Sequence, residues 1–338
     1  MSPLLSVEDL RVRFRTMGAL KALASGVKNP FVDAVCGVSF EIRKGETLGL
    51  VGESGSGKST IARAIMGLRP PTGGTIRFDG QVLNGLAPTE RKPHLRRMAM
   101  MFQDPVGSLS PRLTVCSLLM EPFRIHGVTG RDPAAEAERL LNMVGLPADF
   151  GRRYPHQLSG GQARRVGVAR ALALQPDLII ADEPTAGLDV SVQGEVLNLL
   201  GRLQGELGIA ILIITHNLNV VRHMTDRMAI MYLGRFIEVG STERIFAQPR
   251  HPYTEALLSA NPEPDPDAVL DRVELSGEVP SLMTRPTGCE FHTRCRYAQG
   301  ICKSAFPSRA ADREDPRHVF NCHFPLSERA LAGATNVS

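Results

Sequence analysis

Two uninterrupted apolar runs, "PDLIIAD" at 176–182 and "IAILIIT" at 209–215, flank a stretch, 191–207, whose apolar residues recur at helical spacing. A strand with one wet face alternates apolar and polar residues. A strand that is apolar throughout is covered on both faces, as a strand–helix–strand crossover between parallel strands achieves. This pattern confines the chain to an α/β fold with a mostly parallel core sheet. A third apolar strand ends in the glycine-dense "GESGSGKST" at 52–60, and "KSTIARAIMGL" follows with Ile61, Ile65 and Leu68 on one helical face. With 338 residues, 43% of them apolar, the chain can bury such a core and carry an appendage.

Around that core the punctuation is regular. Leu5–Phe14 alternates as a strand, "VSFEIRKGETLGLVG" reads as two strands broken by the Lys44-Gly45 turn, and "PPTGGTIRFDG" is turn, strand, turn. "MAMMFQD" is a further short strand. From Thr114 to Gly145 the spacing is helical with a break near "GVTGRDP", which marks a small helical subdomain at about 105–160. After Leu258, "NPEPDPDA" is a proline- and acid-rich linker, so a boundary is expected near Asn261. The expected organisation is a domain over 5–260 and an extension over 261–330 that is short of periodicity but bears cysteines. No internal repeat indicates a tandem or solenoid array.

A formal net charge of +4, without a long basic run, argues against a nucleic-acid partner. "IAILIIT" is far shorter than the ~20 apolar residues of a membrane helix, and the N-terminus lacks a charged-then-apolar leader, so a cytosolic chain is expected. Six cysteines in that compartment are rarely disulfides; Cys36 and Cys116 are isolated, while four crowd the C-terminal end.

A phosphate-binding loop needs inward-pointing backbone N–H groups in a turn too tight for side chains, a lysine for the terminal phosphates and a hydroxyl for Mg²⁺. Gly52, Gly55 and Gly57 with Lys58 and Ser59 meet all three needs. A chance match is the alternative, and the entering strand and leaving helix weigh against it, since phosphate sits well at a helix N-terminus. Asp182 and Glu183 end the "LIIADEP" strand. Two acids there are often merely solvated, but beside a phosphate loop Asp182 suits the Mg²⁺ shell and Glu183 the neighbouring water. "LSGGQ", Leu158 to Gln162, taken alone is a serine cap with glycines.

Taken in order, "GESGSGKST", "MFQDP", "LSGGQ", "LIIADEP", "AGLDV" and "IITHN" resemble the motifs of an ABC-transporter ATPase over roughly residues 5 to 260. The resemblance implies a P-loop cassette: a mostly parallel core sheet, an N-terminal antiparallel β lobe and a helical subdomain, with ATP and Mg²⁺ bound. It implies that Gly52, Ser54, Gly55, Ser56, Gly57, Lys58, Ser59 and Thr60 hold phosphate and metal together with Asp182. Gln103 would sense the metal and the membrane partner, Glu183 would polarise the attacking water, and His216 would contact the γ-phosphate. Read alone, Gln103 is a loop amide and His216 a satisfied histidine at a strand end. Phe14 resembles the aromatic that stacks on adenine, with core packing as its other reading and Phe31 as the alternative residue. Ser159, Gly160, Gly161 and Gln162, with Asp189, would face the nucleotide of an opposite subunit, so a complete site needs two chains. Ala163 departs from the family, which carries a long polar residue there.

An ATPase without a membrane span could act on DNA, on ribosomes or for a transporter. The first needs a long coiled-coil insertion and the second normally two cassettes, and neither is present, which leaves transport. "RRYPHQLSGGQ", "MYLGR" and "HPYTEALLSANPEPD", with His251 to Thr254, resemble the ATP-binding subunits of dipeptide and oligopeptide importers. "DPVGSLSPRLTV" and "VVRHMTDRMAIMYLGR" are similar to the second of the two ATPases such importers pair. The implied partners are a related ATPase in a heterodimer (a homodimer is the alternative), two membrane-spanning permease subunits and, indirectly, an extracytoplasmic solute-binding protein. The implied place is the cytoplasmic face of the bacterial inner membrane. The competing reading is an ATP-binding assembly or regulatory subunit whose tail senses iron or redox state.

Cys289, Cys295, Cys302 and Cys322 are separated by five, six and nineteen residues. This is not the paired spacing of a zinc ribbon, yet four thiolates can ligate zinc or an iron–sulfur cluster, and four unrelated buried thiols are the plain alternative. "CEFHTRCRYAQGIC" and "NCHFP" resemble peptide-importer tails, some of which carry a [4Fe–4S] cluster, which is preferred here over zinc. His292 and His323 are possible substitute ligands, and a cluster would staple a small tail lacking its own core.

Overall fold

A computed structural model describes residues 2–16, 31–104, 107–260, 273, 275 and 277–326. The expected linker and the boundary at Asn261 lie outside the described residues. The chain divides into two compact units: Met1–Ser6, Glu41–Thr47 and Ile76–Ile214 form the first, and Val7–Phe40, Leu48–Thr75 and Thr215–Ser338 the second. Strands β1 (Leu5–Arg15), β2 (Phe31–Ile42), β3 (Thr47–Val51) and β4 (Gly73–Phe78) each cross a boundary between these segments.

In the first unit, β4 turns into β5 (Gln81–Val82) as an antiparallel hairpin, with Arg77 opposite Val82. Helix α1 (Lys58–Ile65) belongs to the second unit; α2 (Pro88–Arg96) belongs to the first and leads to β6 (Met98–Met101). Helices α3 (Val115–His126), α4 (Pro133–Met143) and α5 (Gly160–Leu172) follow. The "GVTGRDP" break is a cap pair: Gly127 ends α3 at φ 68°, and the Asp132 carboxylate accepts from the Ala134 N–H to begin α4. Strands β7 (Leu178–Asp182) and β8 (Ala210–Thr215) pair parallel with β6 on the far side of β7, Met98 opposite Leu178 and Leu178 opposite Ala210. Every residue of β7 and β8 is buried, as their unbroken apolar sequence requires. Between them α6 (Val190–Leu207) buries Val196, Leu199, Leu200 and Leu203, the helical spacing seen in the sequence.

In the second unit β1 and β2 run antiparallel, with Arg13 paired to Asp33 and the Asp9 N–H donating to Ser39 Oγ. Strand β3 pairs parallel with β9 (Arg227–Tyr232), Leu50 opposite Ala229, and β10 (Arg235–Ser241) returns antiparallel along β9. Helices α7 (Leu218–Met224), α8 (Thr242–Ala247) and α9 (Pro252–Ser259) flank this sheet. The C-terminal segment adds α10 (Gly300–Ser304) and two strands, β11 (Ala310–Ala311) and β12 (Val319–Phe320), with Phe320 opposite Glu238 of β10.

That segment is packed onto the core formed by β9, β10 and α9. Phe291 joins Tyr232, Tyr253, Ile230 and Ile237 in one cluster, and its ring lies 5.4 Å from Tyr232 and 5.3 Å from Tyr253 at steep angles. A buried polar knot pins β12: His318 Nε2 lies 2.6 Å from Glu238 Oε1, and Glu238 also accepts from the backbone N–H groups of Arg250 and His251. Both side chains of the pair are fully buried. Among the described residues no helix is long and apolar enough to cross a membrane.

Candidate functional site

In the second unit the phosphate loop leaves β3 and enters α1. A side chain at Gly52 would meet the Met231 carbonyl at 2.2 Å, and one at Gly57, where φ is 109°, would meet the Ala34 carbonyl at 2.3 Å. Both obstacles are backbone, so glycine is required where the loop crosses its neighbours. The loop is further tied by Gly234 N–H to the Ser56 carbonyl at 2.8 Å and Ser56 N–H to the Glu53 carbonyl at 3.2 Å. Lys58 is buried. Its Nζ donates to the carbonyls of Gly52 at 2.7 Å and Glu53 at 2.9 Å and lies 3.3 Å from Ser56 Oγ, which centres a positive charge inside the turn. Ser54 and Gly55 are exposed at the loop's mouth, and Ser59 and Thr60 are half-buried in the first turn of α1. A cage of backbone N–H groups with an internal ammonium at a helix N-terminus is suited to a polyphosphate.

His216 is exposed just after β8, and Asn217 caps α7 by accepting from the N–H groups of Asn219 and Val220. Phe14, near the end of β1, is half-buried beneath the Arg69 guanidinium at 4.5 Å, so it is not a core aromatic; Phe31 is largely exposed.

In the first unit the acids end β7. Asp182 is buried, and Glu183 has φ 50°, a left-handed conformation that costs a non-glycine residue of order 1–3 kcal/mol. The conformation is held on both sides. The Glu183 N–H donates to the Ile214 carbonyl at 2.8 Å, and the buried Arg164 guanidinium donates to the carbonyls of Glu183 at 3.3 Å, Pro184 at 2.5 Å and Ala186 at 2.6 Å. Burial pulls the Arg164 pKa below its ordinary value. Sequence reasoning passed over Arg164. The available signal was an arginine sharing a helical face with Val168, in the buried stripe of α5.

Ser159 caps α5 reciprocally: its Oγ accepts from the Gln162 N–H at 3.2 Å, and Gln162 Oε1 accepts from the Ser159 N–H at 3.0 Å. Ser159, Gly160, Gly161 and Gln162 line a cleft of about 660 Å³ with Gly187, Leu188 and Asp189. Ala163 is buried beneath the cap. Gln103 is exposed in the loop after β6. Near it, Met98, Met100, Phe102, Pro122, Ile125 and Leu174 line an apolar groove, with Phe102 and Ile125 about half exposed.

The four C-terminal cysteines are free thiols; Cys302 is buried and the others half-buried, and the Cys289 N–H donates to the Cys302 carbonyl at 2.8 Å. Burial first, and the neighbouring thiols second, push Cys322 up to about 12; burial also dominates at Cys289, at about 11. His292 Nδ1 is engaged at 2.8 Å with the Cys289 carbonyl and His323 Nε2 at 2.9 Å with the Ala305 carbonyl. Among the described residues no group of three or more His, Cys, Asp or Glu side chains is arranged to hold a metal ion. The expected [4Fe–4S] or zinc site thus has no formed ligand set, and the tail's docking rests on its aromatic and β-sheet contacts.

An ABC transporter family model matches residues 35–186, and an oligopeptide/dipeptide transporter C-terminal region model matches residues 237–302. A putative peptide import ATP-binding protein of Brucella ovis is 46% identical over 323 residues, 95% of this chain and 98% of the relative. The chain belongs to the ABC transporter ATPase family. The oligopeptide transport ATP-binding protein AppF of Bacillus subtilis is 47% identical to this ABC ATPase over 86% of the chain and 89% of its own length. The dimeric ATP-binding cassette MJ0796, solved with ADP and Pi bound, superposes at TM-score 0.62 with 29% identity, covering 70% of this chain and 98% of its own. The cassette cbiO1 of Clostridium perfringens gives TM-score 0.61 at 28% identity, covering 73% and 92%. The P-loop cassette fold and ATP hydrolysis are properties of this family, and the ABC ATPase of a transporter works with membrane permeases and as a dimer.

Proposed function

We propose that this chain is the ATP-binding and ATP-hydrolysing subunit that energises import of peptides or a peptide-like solute through a membrane transporter. The observation that carries the reading is the phosphate loop of residues 52–60, with its buried internal lysine. The peptide assignment is supported by the C-terminal family match and by relatives named as peptide and oligopeptide import proteins. In this reading the backbone of Gly52, Ser54, Gly55, Ser56 and Gly57, with Lys58 and Thr60, cradles the phosphates. Ser59, Asp182 and Gln103 are hard oxygen donors that would hold Mg²⁺, which when bound neutralises charge on the phosphate oxygens. Glu183 polarises the attacking water, His216 contacts the γ-phosphate, and Phe14 stacks on adenine.

Ser159, Gly160, Gly161 and Gln162, with Asp189, face the nucleotide held by a partner cassette. Closure of two chains then excludes bulk water and aligns the attack. The partner is a related second ATPase, and residues 5–260 act as the nucleotide-binding domain with 261–330 as the importer-type extension. Two permease subunits dock at the apolar groove beside Gln103, which places the cassette on the cytoplasmic face of the inner membrane, with a solute-binding protein on the opposite side. A [4Fe–4S] or zinc site at Cys289, Cys295, Cys302 and Cys322 rests on the crowding of these four residues in the sequence. Iron and zinc analysis of anaerobically purified protein tests that part, and a metal-free protein with four titratable thiols removes it.

Glu183→Gln in the assembled transporter tests the catalytic assignment. Turnover falls at least about 100-fold while ATP binding persists, as expected when a positioned base is lost. Near-full turnover refutes the role of Glu183.

A further inference from the structure

Glu53, directly after the first glycine of the phosphate loop, is gripped by two segments from far along the chain. Its backbone N–H donates to the Tyr253 hydroxyl at 3.2 Å. Its carboxylate accepts from Arg294 Nη1 at 3.0 Å on both oxygens. The carbonyl of the same residue receives the Lys58 ammonium and the Ser56 N–H. One residue therefore joins the interior of the phosphate loop to the C-terminal segment.

The grip has a rigid base. Arg294 is buried, its side chain 6% exposed, against 23% for Glu53. Its N–H donates to the carbonyl of Phe291, and Phe291 is wedged among Tyr232, Tyr253 and His251. Burial works against the charge on Arg294, yet Glu53 and the Tyr232 hydroxyl together outweigh that and hold its pKa above the ordinary value. Burying a guanidinium costs desolvation and side-chain entropy, so an arginine placed here is committed to its carboxylate. Glu53 in turn meets the C-terminal part of the chain through Arg294 and the Tyr253 hydroxyl.

We propose that Arg294 is a positioning residue for nucleotide binding: through Glu53 it holds the mouth of the phosphate loop in its cradle shape, so that the C-terminal segment sets the affinity of this chain for MgATP. The inference rests on the reading of residues 52–60 as the phosphate loop. A loop already shaped binds without the cost of ordering, and a loop released at Glu53 bears that cost from the binding free energy. The interaction is with ground-state nucleotide and transition state alike, so it acts on affinity and leaves the chemical step alone.

The test is calorimetric titration of the full-length chain with MgATP, with steady-state ATPase kinetics on the assembled transporter. Lys58→Ala is the control for the underlying reading: if it binds MgATP like the wild type, the phosphate-loop assignment itself is wrong. Given that control, Arg294→Ala and Glu53→Ala each raise Kd about 5- to 10-fold, equivalent to ~1–1.4 kcal/mol. The double variant is no worse than either single, since both remove one contact. KM for ATP rises in step while kcat is retained. Arg294→Lys recovers part of the affinity, and Tyr253→Phe, which leaves the ring cluster in place, raises Kd two- to threefold. A folded Arg294→Ala chain with wild-type Kd overturns the proposal, as do additive effects in the double variant. Should Arg294→Ala fail to fold, wild-type affinity in both Arg294→Lys and Tyr253→Phe overturns it equally.

Discussion

Replacing Arg164 with alanine is the sharpest probe of how Glu183, proposed to polarise the attacking water, is presented. Its guanidinium makes two short hydrogen bonds, 2.5 Å to the Pro184 carbonyl and 2.6 Å to that of Ala186, and a longer one of 3.3 Å to Glu183. Hydrogen bonds to a charged group contribute about 1.5–3 kcal/mol each, so the two short ones give ~3–6 kcal/mol before the desolvation of the buried arginine is deducted. The left-handed backbone of Glu183 stores of order 1–3 kcal/mol. The grip is thus of the same size as the strain it opposes or larger, and without it the peptide at Glu183 relaxes toward an ordinary conformation. Among the bonds kept are the Glu183 N–H to Ile214 and weak turn bonds from Ala186 to Glu183 at 3.2 Å and from Leu188 to Thr185 at 3.3 Å. A displacement of about 1 Å of a reacting group costs on the order of 100-fold in rate, or ~2.7 kcal/mol. Arg164→Ala therefore lowers kcat about 100-fold in steady-state ATPase assays on the assembled transporter. KM for ATP stays within about threefold, since the phosphate loop is untouched. Arg164→Lys, which keeps the charge but loses the fork, falls between at ~10-fold. A folded Arg164→Ala protein with kcat within twofold of wild type refutes the argument.

Three further outcomes follow from the same geometry. Gly57→Ala places a Cβ 2.3 Å from the Ala34 carbonyl at φ 109°, so MgATP titration of this variant finds affinity lowered at least ~10-fold, or the chain fails to fold. His318→Ala leaves Glu238 buried without its imidazole and is expected to cost ~3–5 kcal/mol, read as a lowered denaturation midpoint with unchanged m-value. Asp312 is set by opposing influences: burial alone would raise its pKa, but hydrogen bonds from the Glu314 N–H and from Arg250 hold it at about 2, against ~3.9 when unfolded. Its contribution to stability is fully present above about pH 4 and is lost as pH falls toward 2; Asp312→Asn flattens that part of the acid-denaturation curve.

The sequence by itself determined the parts governed by local chemistry and by periodicity. The unbroken apolar runs of β7 and β8 could only be covered on both faces, and a chain of glycines, lysine and hydroxyls between a strand and a helix is itself the phosphate loop, because the loop's function is carried by its own backbone. The cap at Ser159 was equally legible, since it is closed within three residues. What the tertiary structure alone decided depends on partners distant in sequence. Arg164 grips carbonyls about 20 residues on, Arg294 reaches Glu53 across 241 residues, and Phe291 finds Tyr232 and Tyr253; no periodicity encodes these meetings. The C-terminal segment read as a coreless tail because its short strands β11 and β12 gain their burial only by pairing with β10, and cysteine spacing drew attention away from the aromatic ring that docks it. Local order is written in neighbours along the chain, whereas the free energy of burying an arginine or a phenylalanine exists only once distant surfaces have come together.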